Sequence, residues 1–204
     1  MKTLLTLLSF SLLLQHTAFA AAQPIPRDEA QKVTLLLNNA LGDITDGPFR
    51  LELNAFKPHG VKGDGMAAAI AVPVHDLNNR IKSARPGLIV PVGQLWLHKI
   101  VPVVNDVPAA KKDLRRVMIS SDGNETLVSL FHLGFRREGE KNRLLVYGKG
   151  DHVLLEIPLK RLEVPQASPI ELGAEATGDQ QAELVIYLAD LFEGKMGLRP
   201  EPAD

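Results

Sequence analysis

Apolar and polar residues alternate one for one along most of this chain, the period of a strand with one face buried. In "FRLELNAF", Phe49, Leu51, Leu53 and Ala55 point one way and Arg50, Glu52 and Asn54 the other. In "GMAAAIAVPV", Met66, Ala68, Ile70, Val72 and Val74 share a face after a turn at Gly63 and Gly65. "PGLIVPVGQLWLHKIVPVV" is equally β-rich, but Pro91, Gly93 and Pro102 suit two short strands or a bent edge rather than a central strand. "RRVMISSDGNETLVSLFHLGF" reads as strand, "SDGN" turn and strand, because Asp, Gly and Asn accept the positive φ of a tight hairpin. From Thr126 to Leu159 the pattern predicts a three-stranded meander with strands Leu127 to Phe135, Asn142 to Gly148 and His152 to Leu159. Its turns, "REGEK" and "GKGD", combine glycine with charge. In its last strand Val153, Leu155, Ile157 and Leu159 form the inward set. Further on, Ile170, Leu172, Ala174 and Ala176 alternate, "TGDQ" turns, and "AELVIYLADLF" runs back.

Such spacing amounts to roughly eight to ten strands, so the expected fold is mainly β: a single antiparallel β-sandwich or small barrel-like domain with one or two short helices. The best helix is "RDEAQKVTLLLNNALG", where Val33, Leu36, Leu37, Ala40 and Leu41 share a helical face behind an acidic first turn. A strand over Lys32 to Asn38 fits these residues nearly as well. "HDLNNRIKSA" and "PAAKKDLRR" have room for single helical turns, and "RPEPAD" reads as an extended, mobile tail. No internal repeat or composition shift divides residues 21 to 204, which are expected to form one domain.

The amino terminus follows a different pattern. Lys2, the uncharged run Leu4 to Leu14 and the Ala18-x-Ala20 pair match a secretory signal peptide over residues 1 to 20. The apolar run is shorter than the ~20 residues a membrane span requires, so the mature chain is expected not to span the membrane. Cleavage after Ala20 leaves 184 of the 204 residues, enough for a core that needs no staple, and there is no cysteine to make one. Lys2 leaves with the signal, so 22 basic residues face 24 acidic ones, a balance that argues against nucleic acid as a partner. A periplasmic or secreted location suits a cysteine-free exported chain, which is expected to fold as a monomer without metal. An outer-membrane barrel does not fit: aromatic residues are 5% of the chain, too few for two girdles, and Leu127 to Phe135 is apolar on both faces. That strand belongs between two packed layers.

Chemistry-bearing residues are sparse. The candidates for a polar site are His132, Asp151, His152, His75 and Asp76. His132 shares a strand face with Val128 and Leu130, where a neutral histidine with one hydrogen-bond partner is the usual occupant. His152 falls on the wetter face with Glu156, and a meeting of the two histidines would form a metal half-site. His59, His75 and His98 show no H-x-H or H-x-x-x-H spacing, and Met66, Met118 and Met196 are too dispersed for a thioether copper site. "KKDLRR" and the Arg136–Arg137 pair are interrupted by acids and read as solvated faces, while Trp96, flanked by Leu95 and Leu97, reads as a core anchor. No G-x-S-x-G, S-x-x-K, H-E-x-x-H, P-loop or G-x-G-x-x-G occurs, and no cofactor is implied. The expectation is an exported, soluble, non-catalytic protein that binds a protein or lipid component of the cell envelope through a sheet edge or an apolar groove. A carrier or sensor of a small apolar ligand or metal ion is the alternative, and an envelope hydrolase stands third.

Overall fold

The computed structural model describes residues 22–41, 47–63, 67–121, 123–163, 166–178 and 180–202. The expected signal peptide, the "SDGN" turn at Asp122 and Met66 lie outside them. Alternation does produce strands. In chain order they are β1 (Gln23–Pro24), β2 (His59–Lys62), β3 (Ala68–Pro73), β4 (Ile89–His98), β5 (Ile100–Val104), β6 (Val107–Pro108), β7 (Arg115–Ser121) and β8 (Asn124–Glu138). They continue with β9 (Lys141–Tyr147), β10 (Val153–Arg161), β11 (Ile170–Gly178), β12 (Gln181–Leu188) and β13 (Phe192–Pro200). The helices are α1 (Arg27–Leu41) and α2 (Leu77–Lys82), so the segment left open between helix and strand is helical.

All pairings are antiparallel, and the sheet runs β1-β2-β3-β4-β8-β9-β10-β13-β12-β11, with β7 beside β8, β5 beside β13 and β6 beside β5. The fold is therefore the mainly β, curled antiparallel domain with two short helices that alternation implies. Its meander β8-β9-β10 follows the sequence-based bounds within one or two residues in β9 and β10, and β8 extends three residues beyond them at each end. Between β10 and β13 the ladder is only Lys160↔Glu193 and Arg161↔Phe192, and there the sheet turns over onto itself. The inward residues of both halves, among them Leu95, Phe131, Leu133, Phe135, Leu144, Ile157, Leu172, Leu184 and Ile186, form the main core. A second apolar layer lies outside: Leu37 of α1 packs with Ile70, Val72, Trp96, Val117, Val128 and Leu130. Helix, sheet and sheet stack in three layers, which is why β3 and the middle of β8 are apolar on both faces.

Three expectations need correction. The run after Pro86 does divide into two strands, β4 and β5, but β4 is continuous through Pro91 and Gly93 and is hydrogen-bonded on both sides rather than an edge. A bulge between those two residues absorbs them, and β3 ends opposite Gly93, so Pro91 has no ladder on that side to disrupt. "FRLELNAF" is not a ladder strand; its only pairing among the described residues is the bridge Leu53↔Val74, because β3 is already occupied by β2 and β4. Finally, Arg199 and Pro200, assigned to a mobile tail, pair with Val101 and Ile100 in β13.

At the far end of the curl, β11 returns against β2 and β3 without forming a ladder with either. A side chain bridges the seam: the Leu172 N–H donates to His59 Nδ1 at 3.0 Å. Nδ1 must accept, so the ring is neutral. Burial lowers the His59 pKa from its ordinary 6.5, partly opposed by Glu171. As pH falls below 6.5 the unfolded chain takes up this proton before the folded one does. Stability is thus full above that pH and declines as pH drops toward the folded value. Denaturant midpoints at neutral and mildly acidic pH should show this loss in the wild type and a smaller loss in His59→Gln, which does not titrate. Equal losses in both would remove His59 as the cause.

Candidate functional site

The outer apolar layer ends where α1 ends. Beyond it the outward face of β4 and β8 presents Gln94 and His132, a directly opposed cross-strand pair. The last turns of α1, through Asn38 and Leu41, and the segment from Gly47 to Leu53 stand over this pair and enclose a cleft of about 700 Å³. Its walls combine Leu41, Pro48, Phe49, Leu51 and Leu53 with the polar Asn38 and Arg50, and its floor is Gln94 and His132. Gly47 approaches the histidine so closely that a Cβ there would lie 2.3 Å from His132 Cε1, so glycine is required by close contact rather than by backbone angle.

The floor is a hydrogen-bonded set of buried polar groups. Trp96 Nε1–H donates to Gln94 Oε1 at 3.2 Å. Arg115, 5% exposed, donates from Nη1 toward His132 Nε2 at 3.4 Å and from Nη2 toward the Gly150 carbonyl at 3.5 Å. A guanidinium only donates, so Nε2 is the acceptor, and the tautomer assigned from this contact is neutral with its proton on Nδ1. The nitrogen that would serve as a general base or metal ligand is therefore engaged. Tyr147, opposite His132 on β9, meets Phe49 edge-on at 5.2 Å. Burial raises its phenol pKa; Arg136 opposes this and Glu156 adds to it, so the hydroxyl keeps its proton. Gln94 is 4% exposed, and its Oε1 bond to the indole is its only side-chain hydrogen bond among the described residues. Both amide protons on Nε2 remain for whatever occupies the cleft.

Of the five sequence candidates, only His132 belongs to this constellation. It is buried on the face of Val128 and Leu130, with a polar partner. Asp151 and His152 stand in the turn before β10, their side chains 80% and 95% exposed and 3.6 Å apart. His75 and Asp76 lie elsewhere, exposed on a polar hollow of about 430 Å³ beside Asn54, Lys57 and Asn79. The described residues contain no group of three or more His, Asp or Glu placed to hold a metal ion. Gln94 and Arg115 were not anticipated. Gln94 did carry a signal, a lone amide inside the apolar run "VPVGQLWL", whereas Arg115 sat in a basic cluster that reads as solvated and is in fact buried.

Between the two halves of the sheet, the space lined by Ala69, Ala174, Ala182, Leu184 and Leu198 is about 30 Å³, room for one water and not for a ligand. Comparison with protein families, curated proteins and solved structures finds no match.

Proposed function

We propose that this is an exported, non-catalytic binding protein of the cell envelope whose ligand is an amphiphilic envelope component lodged in the cleft beneath the end of α1. The observation that carries the reading is Gln94: a nearly fully buried amide with its oxygen committed to Trp96 and its two donor protons left over. A donor on a buried floor, between walls in which Leu41, Phe49, Leu51 and Leu53 alternate with the polar Asn38 and Arg50, suits a carbonyl, ester or hydroxyl oxygen on an amphiphilic body. The volume suits a small amphiphile, since ligand pockets run from roughly 300 to 1,000 Å³. The engagement of His132 Nε2 by Arg115 favours binding over catalysis. Export rests on the Lys2, Leu4 to Leu14 and Ala18-x-Ala20 pattern, and envelope material should have an intact mass beginning at Ala21.

Trp96 is the only tryptophan, and its indole touches the proposed donor, so its fluorescence reports directly on the site. Monooctanoylglycerol should change Trp96 emission saturably, and octyltrimethylammonium, with the same tail and no acceptor oxygen, should not. Gln94→Glu keeps an oxygen for the indole and removes the donors, and should weaken binding about tenfold or more, the worth of one buried hydrogen bond. Gln94→Met serves if the charged variant does not fold. No saturable change in the wild type, or unchanged affinity in a folded Gln94 variant, overturns the proposal.

A further inference from the structure

The margins of the sheet are not alike. β1, β6 and β10 each carry a proline, Pro24, Pro108 and Pro158, and β11 lies against β2 and β3. Proline at an edge discourages a further strand. β7 has none. It pairs with β8 only, and no described residue hydrogen-bonds the backbone of Val117 to Ser120 from the other side. Its two faces differ as well. Val117 and Ile119 are buried in the layer beneath α1, while Met118 is 50% exposed and stands opposite Leu127, itself 42% exposed.

We infer that the β7 edge pairs with the same edge of a second copy of this chain, antiparallel and centred on Met118. The sequence "RRVMISS" is self-complementary in that arrangement. Arg115 falls opposite Ser121 of the second copy, Arg116 opposite Ser120, Val117 opposite Ile119, and Met118 opposite itself. No like charges meet, and the three apolar residues face three apolar residues. Because Leu127 already pairs with Met118, the two copies form a four-residue apolar ladder, Leu127–Met118–Met118–Leu127, from side chains that are half-exposed in one chain. Arg116, which is tied to Glu201, has only the small Ser120 beside it across the new seam, with Glu125 of the second copy on the next strand. Joining the edges removes both free strand margins at once, through a twofold contact that closes and goes no further. The contact does not rest on the proposed ligand, although Arg115 of the cleft floor stands at the end of the paired strand, and it replaces the expectation of a monomer.

Met118 is the residue to change, since it is exposed in one chain and meets its own copy in the pair. The wild-type protein should have the mass of a dimer by light scattering at micromolar concentration. Met118→Lys and Met118→Glu should each associate at least roughly tenfold more weakly, because each sets two like charges directly opposite. An equimolar mixture of the two should recover the dimer, with each variant alone keeping the wild-type circular dichroism and a cooperative melt. A wild-type monomer throughout the micromolar range, a dimer that persists in Met118→Lys alone, or a mixture that stays monomeric each overturns the assignment.

Discussion

Ile157→Asp should unfold the domain. Ile157 is 1% exposed and stands on β10 opposite Leu144 at the place where the sheet begins to turn over. Across the core Gly194 of β13 leaves it space: a Cβ at Gly194 would come within 2.8 Å of the Ile157 side chain. A carboxylate there has no partner and no water, and would cost about 3 kcal/mol or more even after its pKa rises, a large part of the ~5–15 kcal/mol that holds a typical domain. His152→Ala, in the exposed turn three residues before Leu155, should change stability by less than about 0.5 kcal/mol. Denaturant melts of the two variants decide the matter. Comparable losses would mean that the turn before β10 holds something other than solvent-facing groups.

Gly93→Ala should be nearly as damaging, for a different reason. Gly93 has φ of 153° beside the bulge in β4, and a Cβ built there lies 2.1 Å from the Val72 carbonyl oxygen and 2.9 Å from Pro73 Cα. Both obstacles are backbone, so no side chain can swing aside. The ladder between the ends of β3 and β4 must open, losing the Val74 N–H to Val92 carbonyl bond, on top of the strain of a β-carbon in a glycine-only region. Together these come to roughly 3 kcal/mol. For a domain of this size that corresponds to a fall in Tm of about 6–12 °C, measured by thermal melting. A shift below about 1 °C would show that the bulge relaxes at little cost.

These two residues also mark how far the chain can be read unaided. Ile157 was legible as an inward residue, but its rank was not. Alternation put Val153, Leu155, Ile157 and Leu159 on one buried face, and a bulge between Val153 and Leu155 leaves Val153 38% exposed and Leu155 half-buried. Bulges do not follow from composition, because the extra residue is set by what the neighbouring strand needs. Gly93 and Pro91 looked like interruptions for the same reason, and the adjoining end of β3 turned them into a tolerated irregularity.

Period-two alternation, the charged glycine turns and the doubly apolar run through β8 are local properties, and they were enough to determine a mainly β antiparallel domain with the meander β8-β9-β10 at its centre. His132 could likewise be placed on the face of Val128 and Leu130 by counting alone. Only the tertiary structure decided that α1 covers that face and stops short of Gln94, that Arg115 reaches under it from β7, and that His59 meets β11 across 113 residues of sequence. Each of these depends on which strands become neighbours and in what register. A one-residue slip sends every side chain to the opposite face, so no count along a single strand contains that information.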